Sequence, residues 1–142
     1  MANVIPYAFR GELFTGTHNF ASGGDQFKLA LYTSNPYNTS STVYVTTNEV
    51  SSAGGTNYTA AGNTLSGNAV ATSTAVASCD FADTSWTSAT ITAAFGVIFN
   101  DDQSDKLCVV LDFDGSKSCT NGTFTISFPS ATTPADAIIS MA

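Results

Sequence analysis

This chain has little charge, one histidine and no regular cysteine spacing, and each shortage excludes something. Charged residues make up 11% of its 142 positions, against about 25% in an ordinary globular chain. Only Arg10, Lys28, Lys106 and Lys117 are basic, and they are scattered. Phosphate backbones are gripped by clustered Lys and Arg, so direct nucleic-acid binding is not expected. With a net charge of −7, anionic membranes are disfavoured on the same ground. No run reaches the ~20 apolar residues that span a bilayer as a helix. No continuous apolar segment follows Arg10, so a secretory leader is not expected either. Three cysteines, Cys79, Cys108 and Cys119, are an odd number without a CxxC pair, which argues against a disulfide framework and a structural zinc site. Cys79 and Cys108 are expected to be buried as small hydrophobes, and Cys119 to lie exposed in a turn.

Catalytic sets are equally scarce. Ser-His-Asp and Cys-His chemistry would both have to recruit His18, which is expected to serve a turn or cap, and no GxSxG step is present. Asp101, Asp102 and Asp105 cluster, as do Asp112 and Asp114, but neither group has the spacing or terminal Glu of a calcium loop. Solvated turn residues are the expectation, with no enzyme activity, no cofactor and no metal.

What is present is apolar and hydroxyl-rich. Hydrophobic residues make up 43%, including ten Phe, five Tyr and one Trp, enough for an aromatic core and too much for a disordered chain. No charge occurs over residues 50–79, 84–100 or 120–135. Strands with Thr- and Ser-covered outer faces explain that composition. The length suits one domain spanning residues 1–142.

Residues 4–15 form the one good helix, with Ile5, Phe9 and Leu13 on one face, Pro6 in its first turn and Gly16 to end it. The β core is expected over residues 26–141. Phe27, Leu29 and Leu31 alternate in a half-buried strand, 43–45 suits a short edge strand, and 51–63 is the longest loop. Residues 64–71 and 75–81 are strand-compatible, and Trp86 is a core anchor. The clearest strand is 89–99, with Ala89, Ile91, Ala93, Phe95, Val97 and Phe99 on one face. Residues 100–105 make a turn. Two apolar runs, 107–113 and 123–128, flank the polar segment 114–122, the pattern of a hairpin in which Val109, Leu111 and Phe113 face Phe124, Ile126 and Phe128. Residues 137–141 are a last short strand or tail. Seven or eight short strands with regular turns predict an all-β antiparallel sandwich with a short N-terminal helix.

Several steps occur in a telling order: Leu13-Phe-Thr-Gly16; the strand 27–33; Thr47-Asn-Glu-Val50; Gly55, Tyr58, Gly62 and Leu65; Asp83 to Trp86; the run 89–100; and Ser118-Cys-Thr-Asn-Gly-Thr-Phe-Thr-Ile126. In this order, over about residues 7–128, the chain resembles small structural proteins of tailed bacteriophages of the head-decoration or cement kind. The resemblance implies a virion component on the outer capsid surface, made in the bacterial host cytoplasm. Its implied partners are the major capsid protein and other copies of itself, as a homotrimer. Residues expected to touch partners are Pro6, Tyr7 and Phe9 in the N-terminal segment, and Asn57 and Tyr58 in the long loop. The competing expectations are a tail, neck or fibre protein, and a carbohydrate-binding sandwich stacking sugar on Tyr37, Tyr44, Tyr58 or Trp86.

Overall fold

The computed structural model describes residues 3–73, 75–129 and 137–141. In chain order its elements are α1 (Tyr7–Phe14), β1 (Phe27–Tyr32), β2 (Asn63–Thr64), β3 (Ala69–Ser73), β4 (Val76–Asp80), β5 (Thr84–Asn100), a 3-10 turn (Asp101–Gln103), β6 (Lys106–Ile126) and β7 (Ile139–Met141). The strands form two antiparallel sheets, β2-β1-β5-β6 and β3-β4-β7. This is the sandwich-like all-β arrangement with one short N-terminal helix that the alternation predicts.

The larger sheet is apolar on both faces. On one side Phe27, Leu29, Leu31, Ile91, Ile98 and Val109 meet Cys79 and Phe81 of the smaller-sheet region together with Phe9 of α1. On the other side Ala30, Tyr32, Val97, Phe99, Leu107 and Val110 are covered by Tyr37, Tyr44 and Ala61 from the long connection between β1 and β2. That double cover explains why β1 is buried at both parities. Each fully buried Leu, Ile or Phe contributes roughly 1.5–3 kcal/mol, so the connection between β1 and β2 is part of the core and not a mere link.

The hairpin expected around 114–122 does not form there. β6 runs on through that segment and pairs with β5 along its whole length, from Asn100↔Lys106 to Thr84↔Ile126. Residues 107–113 and 123–126 therefore lie one after the other along β5 instead of facing each other. The reversal is at 101–105, where Ser104 and Asp105 both take left-handed φ of 58°. The polar Asp114-Gly115 step is a bulge. Phe95 pairs with Asp112 while Ala93 pairs with Lys117, and the excess is taken up where Asp114 and Gly115 adopt φ of 54° and 100°. A bulge and a turn draw on the same left-handed residues, which is why the sequence reads alike for both.

The bulge also divides the strand face predicted for 89–99. Ala89, Ile91 and Ala93 belong to the core facing the smaller sheet, whereas Val97 and Phe99, with half-buried Phe95, pack on the opposite side. Smaller differences follow from local pairing. Val4 bridges Val110, so the chain is extended there and α1 begins at Tyr7. Val43 makes only an isolated bridge, to Lys106, so 43–45 is not a strand. The end of α1 is as expected: Gly16, at φ 69°, donates to the Leu13 carbonyl at 3.3 Å, and Thr17 donates to Glu12 at 3.0 Å. This is a Schellman closure.

Candidate interaction surface

The N-terminal helix is held by a chain of polar side chains. Glu12 on α1 accepts a hydrogen bond from Lys106 at the start of β6. Its second carboxylate oxygen lies 2.9 Å from Nε2 of His18. The His18 side chain is fully buried, with its ring centroid 5.1 Å from that of Phe9 and 6.2 Å from that of Phe20. Its Nδ1 is 2.9 Å from the amide nitrogen of Asn100, which also donates to Asp25 at 2.8 Å. An amide nitrogen only donates, so Nδ1 accepts and Nε2 carries the hydrogen given to Glu12. Helix, connecting turn and the β5 end are thereby locked together.

Two carboxylates of this network are held below their ordinary values. Burial by itself would raise Glu12, but hydrogen bonds from Lys106 and His18 and the Lys106 charge outweigh it and hold the group below its ordinary 4.5. Burial likewise opposes, and the bonds from Asn100 and the Asn19 N–H overcome, so that Asp25 lies below its ordinary 3.8. A carboxylate depressed in the folded state stabilises above its unfolded pKa and loses that contribution as pH falls through the folded one. Thermal melting should therefore be steady near neutrality and fall once pH drops below about 4. Glu12→Gln should flatten part of that decline, and an unchanged slope in the variant would show that Glu12 does not carry it.

Locked beneath, α1 presents its other face outward. Tyr7 is 61% and Phe14 93% exposed. They stand seven residues apart, two helical turns, on one stripe. Arg10 lies between them with its guanidinium 5.5 Å from the centre of the Tyr7 ring. Beside the helix is a groove of about 330 Å³ lined by Ile5, Leu13, Phe14, Ile139 and Met141 among others. A second apolar hollow continues from Leu13 across Val70, Ala77, Ile139 and Met141 onto the smaller sheet. Val70 and Met141 are each 55% exposed. Exposed apolar surface of this kind is a candidate for contact with another macromolecule.

The five residues expected to touch partners divide by burial. Tyr7 and Asn57 are exposed. Pro6 is buried, Phe9 is fully buried and Tyr58 is 3% exposed, so these three are corrected to internal supports. Phe9 was expected on the apolar face of its helix, and that face turns inward. Phe14, Val70 and Met141 were missed. Phe14 falls outside the Ile5-Phe9-Leu13 face, which is the signal that could have found it.

The long loop is pinned rather than free. Asn57, at φ 52°, donates to the Thr87 carbonyl at 2.6 Å. Tyr58 donates to Glu49 at 2.7 Å and accepts from the Leu31 N–H at 3.0 Å. Glu49 also accepts from Tyr44 at 2.6 Å and from the Ala61 N–H at 2.7 Å. Burial first, then the neighbouring carboxylate, raises the phenols of Tyr44 and Tyr58, so both stay protonated donors. Tyr37, Tyr58 and Trp86 are buried, and Tyr44 stacks on Phe99 at 4.6 Å. None of these four aromatics is an exposed platform for a sugar ring.

The acidic turn is better ordered than expected. Asp101 accepts from Lys28 at 2.9 Å and Asp102 from the Gln26 N–H at 2.7 Å, which ties the turn to the start of β1. Among the described residues no group of three or more His, Cys, Asp or Glu is placed to hold a metal. Burial pushes the Cys79 thiol up to about 12 and raises Cys108 further from reactivity. Cys119 is half-buried within β6, not exposed in a turn, and its Sγ lies 3.2 Å from the Ala89 carbonyl. No described helix is long and apolar enough to cross a membrane. Compared with known proteins, the chain matches no protein family, no curated protein and no solved structure.

Proposed function

We propose that the protein is a non-enzymatic virion component of a tailed bacteriophage, a decoration protein. In this reading it binds the outer face of the major capsid protein and stabilises contacts between capsid subunits and with other copies of itself. The observation that carries the proposal is the exposed Tyr7–Phe14 stripe of α1 with the adjoining Met141 groove, an apolar surface on a helix fixed by the Glu12-Lys106 and His18-Asn100 bonds. A prefixed surface loses little freedom on binding. The acidic balance supports the outer face, because packaged DNA repels a chain of net charge −7. The order of sequence steps, which resembles that of phage structural proteins, supports the same assignment. Modest contacts repeated over many copies add up to resistance against internal pressure.

Particles lacking the protein should release DNA at a temperature several degrees lower than decorated ones, and adding purified protein should restore retention. Phe14→Ser should weaken capsid binding by about tenfold or more, the size expected for an aromatic anchor. Undecorated particles of equal heat resistance, or copies located only on the tail, would overturn the assignment.

A further inference from the structure

Among the described residues, the smaller sheet ends in an edge that lacks the usual protection. Among the described residues β3 pairs with β4 alone. Edge strands are ordinarily guarded by Lys, Pro, a bulge or a covering segment. β3 reads Ala-Val-Ala-Thr-Ser, with no charge, no proline and an unbroken five-residue register. It lies inside the charge-free run 50–79. All five of its residues are exposed or half-exposed.

The register decides which main-chain groups face outward. Hydrogen-bonded and non-hydrogen-bonded pairs alternate along an antiparallel ladder. Two residues separate Ser73 from Val76, the last pair of the β3–β4 register, and a two-residue hairpin is closed by a hydrogen-bonded pair. Ser73, Ala71 and Ala69 therefore point their main-chain groups at β4. Those of Val70 and Thr72 point to the open edge. These two positions are symmetric about Ala71, and both side chains are β-branched.

We infer that β3 pairs antiparallel with β3 of a second copy about a two-fold axis at Ala71, joining two small sheets into one of six strands. Val70 of each copy exchanges both main-chain hydrogen bonds with Thr72 of the other. The arrangement is isologous, so one strand supplies both halves of the interface, and an axis at Ala71 pairs all five residues of β3 where an axis at Val70 or Thr72 would pair three. Charge selects the same occupant. Two copies of an acidic chain repel, and β3 lies in a long stretch that brings no carboxylate against itself. Val70, half of it open to solvent, is covered in the pair. The joint places the apolar hollow that Val70 lines beside the same hollow of the second copy.

The pairing extends the self-association in the proposed function but replaces the expected three-fold with a two-fold, and it is tested without capsids. Sedimentation equilibrium of the full chain, from micromolar to near-millimolar concentration, should show a reversible monomer–dimer equilibrium. Thr72→Pro removes an outward N–H that has no partner strand among the described residues, and should weaken the dimer at least tenfold while leaving the melting temperature of the dilute monomer unchanged. Val70→Lys keeps every main-chain group and should weaken it too. Ala71→Cys places two sulfurs across a non-hydrogen-bonded pair, close enough for a disulfide. Mild oxidation should give a covalent dimer that the unsubstituted chain does not form. A monomer throughout, a trimer, or a dimer indifferent to both Thr72→Pro and Val70→Lys would overturn the pairing. A dimer with no affinity for capsids would keep the pairing and sink the decoration assignment instead.

Discussion

Replacing Gly62 by alanine should cost at least about 3 kcal/mol, a large part of the 5–15 kcal/mol that holds a typical domain folded. Gly62 has φ of +70°, and a Cβ there would lie 1.8 Å from the Leu29 carbonyl oxygen and 2.8 Å from the Ala30 Cα. Both neighbours are backbone of β1, which is buried on its two faces, so neither can yield without disturbing a core. The left-handed conformation alone costs an alanine roughly 1–2 kcal/mol, and overpacking adds about 1–3 kcal/mol. Gly23 supplies the control. Its φ is +74°, yet a Cβ would meet nothing within 4 Å. Gly23→Ala should therefore show the conformational cost alone, about 1 kcal/mol. Urea denaturation of the two variants separates the causes. If Gly62→Ala is no worse than Gly23→Ala, the close approach of this loop to β1 is wrong.

The second large effect is expected at Glu49. Its carboxylate accepts from the Tyr44 and Tyr58 hydroxyls and from the Ala61 N–H, and so gathers the connection between β1 and β2, which Tyr58 ties to Leu31 of β1. Hydrogen bonds to a charged acceptor are worth about 1.5–3 kcal/mol each when the partner is left buried without them. Water will replace part of that, so Glu49→Ala should cost about 3–5 kcal/mol. Glu49→Gln should fall between, because an amide nitrogen cannot accept from a phenol. Tyr58→Phe made in both backgrounds gives the coupling. Its cost should shrink when Glu49 is already alanine. Additive costs would mean that the two groups do not act through one another.

These two sites also show what the sequence hid. Gly62 stands in a stretch that reads as an uncharged, turn-rich loop and Glu49 just before it, and composition alone cannot say that such a loop seals a sheet. Elements with strong alternation were legible: β1, β4, the outer part of β5, Trp86 as an anchor, and the end of α1 at Gly16. The continuity of β6 was not. Asp114-Gly115 and Asn121-Gly122 are the steps that a chain uses to reverse, and only the pairing of both flanks with β5 shows that here the first of them is a bulge. His18 was read as a cap because sequence places it in a turn. Its burial depends on Asn100, a residue 82 positions away, a contact that no local pattern encodes. In the N-terminal segment the helix was legible, but not which of its residues stay exposed. Helical spacing identifies one apolar face and sends it inward, and what remains outside, Phe14 above all, is the part available to touch another molecule.

The pairing of β1 with β5 has a consequence for birth on the ribosome. Phe27 finds Asn100, and Tyr32 finds Phe95, only after everything between them has been translated. The β5–β6 hairpin is local and closes over five residues, 101–105, so it is the platform onto which the earlier strand docks. Until then the greasy Phe27-Leu29-Leu31 segment travels in the nascent chain without its partner, open to misassociation. A cell that makes this protein in quantity must keep that segment quiet until synthesis has passed Asn100.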